Sequence, residues 1–495
     1  MFGWSSPYIP RHPTVHRVNL ETGRSRSVSA RGANGDTIDY LLDERGAVAL
    51  RTDSDAATNR WRIFTYDGEN PRLLLEDVSE TGEPMSVAGL LPDGRMAAYD
   101  WSEDGRTESL VAVDRGTGAR EVIVQRGGGG VDGVVRDPWT GRVVGARWTD
   151  EVTTQKFFDP ALQAIADKIG DRIVGDAVVM SWSRDRRRFL VYAERGLDGG
   201  GYYIFEPSPD RLLLLGRLYP ELAEHDGGVR QSIQYSARDG VRIPAYLTLP
   251  PGVERAQGLP LVVLVHGGPR GRDTFAFDWW ASFLASRGYL VLQPNFRGSS
   301  GYGRAWMEAG YRQWGGLMQT DVEDGAAALV RAGMADPARI CIMGASYGGY
   351  AALAGATMTP DRYSCAVSVA GLSDLDLMAR ADMAQAGSQS IFADDIRRII
   401  GDRSEDRDHI RSISPANLAD RARAPVLLIH GTDDTVVPIE HSRLMERRLR
   451  AAGKDVRLVE LTGDDHWLSD EPTRVQMLRE IEAFLAQHIG PRPAP

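Results

Sequence analysis

The chain has 495 residues, of which 42% are apolar, and its formal net charge is −10 at pH 7. That length predicts two domains, and the composition suffices for true hydrophobic cores. Runs of Lys and Arg do not collect into a basic patch, so we expect no nucleic-acid partner. The longest apolar runs have only strand length, and the N-terminus lacks the apolar core of a secretory signal, so we expect no membrane span and a cytoplasmic location.

Short strands and turns fill the chain from its start to about residue 226. A turn with flanking strands recurs about every 46 residues, which is the period of a four-stranded propeller blade. A second unit, two strands joined by an acidic or polar turn, repeats in phase with it. These repeats predict four blades and the tail of a fifth, with a generic β-sandwich array as the alternative. The four copies of the turn are LLDERGAVAL (Leu41–Leu50), LLPDGRMAAY (Leu90–Tyr99), RDPWTGRVVGA (Arg136–Ala146) and SRDRRRFLVYA (Ser183–Ala193).

One segment of this half has helical spacing instead. Asp159 is a suitable N-cap, Pro160 suits the first helical position, and apolar residues follow at helical intervals up to Asp171. We therefore predict a helix inserted in a blade.

From about Val229 to residue 490 the pattern changes to alternating strands and helices. The strands are runs rich in Val, Ile and Leu, and helical stretches separate them. Such runs predict a mostly parallel, doubly wound sheet that is covered on both faces. We thus expect a propeller-like domain over 1–226 and an α/β domain over 229–490.

Both cysteines, Cys341 and Cys365, lie in apolar runs of the second half that are typical of buried strands. We expect each to be a free structural thiol. No residues have the spacing of a zinc site, and no cofactor motif appears, so we predict neither a metal nor a cofactor.

The strongest chemical signal is the pentapeptide Gly344-Ala345-Ser346-Tyr347-Gly348. It matches the G-x-S-x-G nucleophile elbow, with a strand before it and a helix after it, as the α/β-hydrolase fold requires. The flanking glycines let neighbouring backbone approach a tight turn. This context predicts an α/β-hydrolase fold with Ser346 as nucleophile.

A serine hydroxyl needs a base, and in this fold the triad runs in the order Ser, acid, His. Of the nine histidines, His466 follows the last sheet strand, where a loop can carry it over the serine. His488 lies in the terminal helix, and His441 comes too early for the order. We therefore predict His466 as the base.

Two neighbouring aspartates compete for the place of the acid, Asp433 and Asp434. The pattern H-G-x-x-D-x-x-V-P, which begins at His430, selects Asp434. Its carboxylate would orient the imidazole and stabilise the imidazolium. Asp433 is then a solvated carboxylate, and His430 is a structural residue beneath the loop.

An oxyanion hole needs two donors that point at the developing charge. The backbone N–H of Tyr347, just after the nucleophile, is the first candidate. The second is the N–H of Gly268 in the turn His266-Gly267-Gly268-Pro269, with His266 nearby. The alternative interpretation of that turn is a merely tight connection.

Together these segments resemble the prolyl oligopeptidase family of serine peptidases. The residues that carry the resemblance run in order through the second half: YLTLP, VHGGP, LASRGYLVLQPNFRGSSGYG, RQWGG, GASYGGY, HGTDDTVVP and the loop of His466. The resemblance implies peptide substrates and an N-terminal propeller over the active site that excludes folded proteins. It is closest to acylaminoacyl-peptidase and dipeptidyl-peptidase-like members.

The first half departs from that family, whose propellers usually have seven or eight blades. Either the N-terminal part of the propeller is missing from this sequence, or the propeller is truly short. A short propeller predicts one of two outcomes: a homodimer through exposed blade edges, or an open site that admits longer peptides. Two other functions stay open. A carboxylesterase would use the same triad on small esters or amides, and a non-catalytic scaffold would use only the propeller.

Overall fold

The computed structural model describes residues 14–28, 37–55, 58, 60–68, 70–78, 85–101, 107–173, 175–194, 199–225, 227–386 and 391–490, the side chains of 223–224 and 382–394 excepted. The strands of the first half are β1 (His16–Val18), β2 (Ser25–Ser27), β3 (Thr37–Leu42), β4 (Val48–Asp55), β5 (Arg60–Asp67), β6 (Asn70–Val78), β7 (Ser86–Leu90), β8 (Met96–Trp101), β9 (Glu108–Val113), β10 (Arg120–Gln125), β11 (Gly133–Arg136), β12 (Val143–Thr149), β13 (Thr153–Phe157), β14 (Asp176–Trp182), β15 (Phe189–Glu194), β16 (Gly201–Glu206) and β17 (Arg211–Arg217).

These strands form small antiparallel sheets, each made from consecutive segments of chain. β3–β6, β7–β10 and β14–β17 are four-stranded meanders, β11–β13 is three-stranded, and β1 pairs only with β2. Each repeated turn joins the first two strands of a sheet. Asp137 shows why this chemistry folds locally, because its carboxylate accepts the backbone N–H groups of Trp139 and Thr140 at 2.9 Å.

The four larger sheets pack against one another in chain order. Ile63 of β5 and Met96 of β8 share one buried cluster between the first two four-stranded sheets. Leu110 of β9 and Val143 of β12 share the next cluster, and Val144 and Phe205 belong to the one after it. Serial face-to-face packing is typical of propeller blades and not of a two-sheet sandwich.

The predicted helix is present as α1 (Pro160–Arg172). Asp159 caps it by accepting the backbone N–H of Ala161 at 2.9 Å. Leu162 and Ile169 turn into the cluster shared with the last small sheet. The helix follows the third strand of the β11–β13 sheet, in the chain position where the neighbouring sheets have their fourth strand.

The second half contains one eight-stranded sheet, with strand order β18-β19-β21-β20-β22-β23-β24-β25. β19 is antiparallel to its neighbours, and the strands from β21 to β25 are parallel. The strands are β18 (Val229–Ser236), β19 (Arg242–Leu249), β20 (Leu259–Val265), β21 (Leu290–Pro294), β22 (Ala335–Ala345), β23 (Cys365–Val369), β24 (Val426–Gly431) and β25 (Val456–Leu461). The predicted boundary at 226–229 lies between the end of β17 and the start of β18, and it stays a prediction.

Helices cover both faces of this sheet, as the apolar runs predict. They are α2 (Trp279–Ser286), α3 (Arg304–Glu308), α4 (Leu317–Arg331), α5 (Tyr347–Met358), α6 (Leu375–Ala386), α7 (Ile391–Ile399), α8 (Arg407–Ser412), α9 (Glu440–Ala451) and α10 (Glu471–Ile489), with short 3₁₀ turns at Pro220–Glu224 and Pro415–Arg421. Val263 and Ile342 face one buried cluster, while Val262 and Met343 face the other. None of the helices in the described part of the chain has the length and apolar character to span a membrane.

The expectation of two free thiols is wrong. Cys341 of β22 and Cys365 of β23 form a disulfide, with their Cα atoms 4.7 Å apart. The strand register places the two residues directly opposite each other. Both are fully buried. The burial of each cysteine follows from the apolar runs, but their pairing depends on a register that the sequence does not display.

Three of the small sheets contact the α/β domain at the ends of their second strands. The Arg304 guanidinium lies 4.9 Å from the ring centroid of Trp101, where β8 ends. Arg272 donates to the carbonyl of Asp150, just after β12, at 2.9 Å. Phe277 donates its backbone N–H to Glu194, where β15 ends, at 3.3 Å. The partners from the α/β domain lie in the segments that follow β20 and β21.

Candidate active site

The candidate residues lie where parallel strands end. Ser346 follows β22, Asp434 follows β24, His466 follows β25, and the turn of His266 follows β20. These strands are neighbours within one sheet, so their carboxyl ends share one edge. Active sites of open α/β sheets lie at this edge.

Ser346 has the backbone of a nucleophile elbow. Its φ is +57°, a left-handed conformation that is uncommon for residues other than glycine. The turn leaves little space, since a Cβ at Gly348 would lie 1.9 Å from the carbonyl oxygen of Val265, and one at Gly344 would lie 2.4 Å from it. Glycine is therefore required on both sides of the serine, and Ser346 itself stays partly exposed.

Asp434 and His466 are paired directly. The Nδ1 of His466 lies 2.7 Å from Oδ2 of Asp434, and the Asp434 side chain is fully buried. The backbone N–H groups of Val436 and Val437 both donate to Oδ1 at 2.8 Å. Asp433 is exposed and instead donates its backbone N–H to the carbonyl of Asp464. Of the two aspartates, only Asp434 contacts the histidine.

Two histidines stabilise the ionised form of Asp434. His430 is fully buried, with Nδ1 2.7 Å from the hydroxyl of Ser442 and Nε2 2.8 Å from the carbonyl of Val437 and 3.3 Å from Oδ2 of Asp434. Burial would raise the pKa of Asp434, but hydrogen bonds with His430, His466 and the Val437 backbone hold it well below its usual value. The carboxylate therefore stays ionised, as an orienting group needs. His430 lies beneath the loop, as the sequence predicts.

No hydrogen bond joins Ser346 to His466 within the described residues. In an enzyme without bound substrate this bond is often long and tightens only when the substrate arrives. Nδ1 of His466 is engaged with Asp434, so Nε2 is the atom that can receive the serine proton. The structure thus pairs an aspartate with a histidine at the sheet edge that also carries Ser346 in its left-handed conformation.

The turn after β20 lies against the elbow. A Cβ at Gly267 would lie 3.3 Å from the carbonyl oxygen of Ala345 and 3.6 Å from Cβ of Ser346. Gly268 has φ +121°, which favours glycine. Tyr347 is the first residue of α5, so its N–H has no partner within the helix. Tyr347 thus directly follows Ser346, and Gly267, the residue before Gly268, lies against it; the oxyanion roles of Tyr347 and Gly268 stay predictions.

His266 has a supporting position. Its ring stacks on Phe296 with centroids 4.4 Å apart, and Nε2 lies 2.9 Å from the hydroxyl of Ser299. Burial lowers its pKa to about 4, so the ring is neutral at pH 7. The side chain holds the turn in place between β20 and the segment after β21.

The sequence does not predict an ion pair that anchors the segment just after the turn of His266. Arg270 forms an ion pair with Asp395 of α7, with Nη2 2.7 Å from Oδ1 and Nη1 3.2 Å from Oδ2. Its Nη2 also donates to the hydroxyl of Tyr311 at 3.0 Å. The two charges are 125 residues apart in the chain, and no local motif relates them.

An eight-stranded, mostly parallel sheet with a nucleophile elbow, an acid and a histidine at its carboxyl edge defines an α/β-hydrolase. The family model described as "Prolyl oligopeptidase family" matches residues 275–492. The chain is 30% identical over 500 residues to dipeptidyl aminopeptidase BIII of Pseudoxanthomonas mexicana. That alignment covers 97% of this chain and 70% of the relative. It is 30% identical over 339 residues to dipeptidyl peptidase family member 6 of Caenorhabditis elegans, covering 64% of this chain and 45% of that one.

Solved structures show the same fold. A puromycin hydrolase matches with a TM-score of 0.72 and 23% identity, over 96% of this chain and 73% of that one. The acylaminoacyl peptidase of Pyrococcus horikoshii matches with a TM-score of 0.69 and 16% identity, over 97% of this chain and 86% of that one.

The chain belongs to the prolyl oligopeptidase family of serine peptidases. The predicted family, the α/β-hydrolase fold with a preceding β domain and the class of enzyme are therefore confirmed. The assignment of individual site residues stays a proposal.

Proposed function

We propose that this protein is an oligopeptidase whose triad is Ser346, Asp434 and His466. The observation that carries the proposal is the 2.7 Å contact between Asp434 and Nδ1 of His466, at the sheet edge that also carries the Ser346 elbow. Ser346 is the nucleophile, His466 is the general base and then the general acid, and Asp434 orients the imidazole.

In the first step Ser346 Oγ attacks the carbonyl carbon of the scissile bond, and its proton moves to Nε2 of His466. The carbonyl electron pair moves onto oxygen, where the N–H groups of Tyr347 and Gly268 stabilise the negative charge. The C–N bond then breaks, and His466 returns the same proton to the leaving amine. Water repeats the sequence on the acyl-enzyme, so that the acid is released and Ser346 is restored.

Peptides are the proposed substrates. The family consists of peptidases, and the small β sheets lie against the segments that follow β20 and β21, next to the site. A small ester needs no such neighbour, so a carboxylesterase is the weaker alternative. A non-catalytic scaffold would have no use for a buried, doubly hydrogen-bonded Asp434.

A substrate panel tests this proposal. The purified full chain should cleave peptide amides with free or blocked N-termini at higher kcat/KM than p-nitrophenyl esters of similar size. Ser346→Ala is the matched control, which should lose all of these activities. Hydrolysis of the esters alone would replace the peptidase with the carboxylesterase.

The oligomeric state is part of the proposal. β17 is an edge strand, and it exposes Leu213, Leu214 and Leu215 to 41%, 51% and 65%. Such an edge invites pairing with another strand. Either two copies pair, or the site stays open to peptides of more than about thirty residues, longer than a closed propeller would admit. Light scattering with a peptide-length series tests both, and a monomer that rejects long peptides contradicts both.

The cellular location stays a prediction from the sequence. The cytoplasm is the expected compartment, whereas the Cys341–Cys365 disulfide is of a kind more usual in oxidising compartments. Fractionation of the source cells, with quantitation of free thiols in the isolated protein, tests the two alternatives.

A further inference from the structure

Trp467, the residue after the proposed base, is unusually exposed. Its side chain is 65% accessible, the largest value for any large apolar residue described from 227 onward. The next residue, Leu468, is buried at 6%. An exposed indole beside a reacting group is unusual, because a tryptophan gains much free energy by leaving water.

The exposure does not come from a loose loop. The carboxylate of Asp465 accepts the backbone N–H groups of Trp467 at 2.9 Å and Ser469 at 3.2 Å, and the Ser469 hydroxyl at 2.8 Å. The neighbouring Asp464 is buried and accepts the hydroxyl of Thr473 at 2.5 Å. The backbone is thus fixed on both sides of Trp467, and it is fixed with the indole facing solvent.

The indole of Trp467 lies next to the imidazole of His466, the proposed general base. The centroids of His466 and Trp467 are 5.8 Å apart, and the two rings are nearly perpendicular at 88°. Because Asp434 takes Nδ1, proton transfer to the leaving group must pass through Nε2, which then lies about 3 Å from the departing nitrogen. The part of the substrate nearest to His466 is therefore the residue that leaves.

We infer that Trp467 binds the side chain of the residue that follows the scissile bond and favours apolar and aromatic side chains there. This inference rests on the proposed function. The indole offers an apolar face of the kind that aromatic and aliphatic groups cover well, and its N–H has no hydrogen-bond partner among the described residues. Asp434 already orients the imidazole of His466, so the indole is not needed to orient it.

This position has a kinetic consequence. The leaving residue is present during acylation and has gone before deacylation begins. Trp467 therefore acts on the acylation step of substrates whose leaving part reaches it. A methyl ester with the same acyl part has no group that can touch the indole.

Trp467→Ala and Trp467→Phe test the inference in the full chain. The substrates share one acyl part and continue after the scissile bond with Phe, Leu or Gly, or end as a methyl or a benzyl ester. Trp467→Ala should lower kcat/KM about tenfold for the Phe, Leu and benzyl substrates, the range of an apolar contact, and less than about twofold for Gly and methyl ester. Trp467→Phe should keep most of the preference.

Trp139→Ala is the matched control. Trp139 is 50% exposed in the turn between β11 and β12, at the opposite end of that strand pair from the contact with the α/β domain. Its replacement should leave every ratio between substrates unchanged.

Other outcomes overturn the inference. An equal loss on all substrates, together with slower labelling of Ser346 by a fluorophosphonate, would mean that Trp467 only supports His466. Unchanged ratios would mean that the indole does not touch substrate. If the wild type cleaves the esters and no peptide, the proposed peptidase function fails, and the benzyl-to-methyl ratio still decides the role of Trp467.

Discussion

The two halves of the molecule are stabilised in different ways. In the described residues of the first half each sheet is made from consecutive segments, and the four larger sheets share buried clusters with their neighbours in the chain. In the second half one sheet is built from segments between residues 229 and 461, and each of its two faces has a single continuous core. Long-range packing can hold residues from four different strand ends in one site, whereas serial packing builds an extended surface that tolerates local change.

The largest expected effect is on the nucleophile. Ser346→Ala should reduce turnover on the order of a millionfold, since loss of the serine removes the triad as a unit. A fluorophosphonate probe should label the wild type at Ser346 and leave the variant unlabelled. Labelling that persists in the variant would place the nucleophile elsewhere.

The acid comes next. Asp434→Asn should reduce turnover on the order of ten-thousandfold, because an amide cannot fix the correct imidazole tautomer. Asp433→Asn, the control one residue away, should have little effect because Asp433 is exposed. Discontinuous assays that measure kcat for both variants on one peptide test this prediction. Reversed effects would shift the assigned register by one residue.

Two isoleucines compare the halves directly. Ile63 of β5 and Ile342 of β22 are both fully buried, so replacing either with Ala should cost about 2–5 kcal/mol of unfolding free energy. Ile342 lies four residues before Ser346, so Ile342→Ala should also lower kcat. Ile63→Ala should leave kcat unchanged at 25 °C. Melting curves and kinetics on the two variants test this, and equal losses of kcat would show that the halves are coupled.

The smallest effect concerns Asp273, in the segment after β20. Burial, and then the nearby Asp278, raise its pKa to about 8 against the opposing effects of Arg230 and Gln293. An unfolded carboxyl titrates at about 3.9, so the folded state binds more protons between these values, and the unfolding free energy falls as pH rises through that window.

Asp273→Asn removes that titration. Between pH 6 and 9 its unfolding free energy, measured by urea titration, should therefore fall less than that of the wild type, with a difference of at most about 1.4 kcal/mol per pH unit. The acceptor of the Gln293 amide is kept in this variant, because Oδ1 remains. Identical pH dependences in the two proteins would show that the carboxylate is solvated.

The features that can be predicted from the sequence are those encoded within a few neighbouring residues. The elbow, the spacing to Asp434 and the loop of His466 are each contained in a few residues, as are the cap of α1 and the repeated turns. The missed features depend on register and on distant segments. Cys341 and Cys365 are joined across β22 and β23, and Arg270 meets Asp395 across 125 residues. No periodicity in the chain records such contacts.

The segment after β20 carries Gly268 near its start and the partners of the first half further along, Arg272 and Phe277. A motion that separates the two halves must break the contacts with Asp150 and Glu194. It then pulls on the same stretch of backbone that carries Gly268, the proposed oxyanion donor. Under the proposed mechanism, admission of a substrate and readiness for hydrolysis would therefore compete, and a bound peptide would be cut only after the halves have come back together.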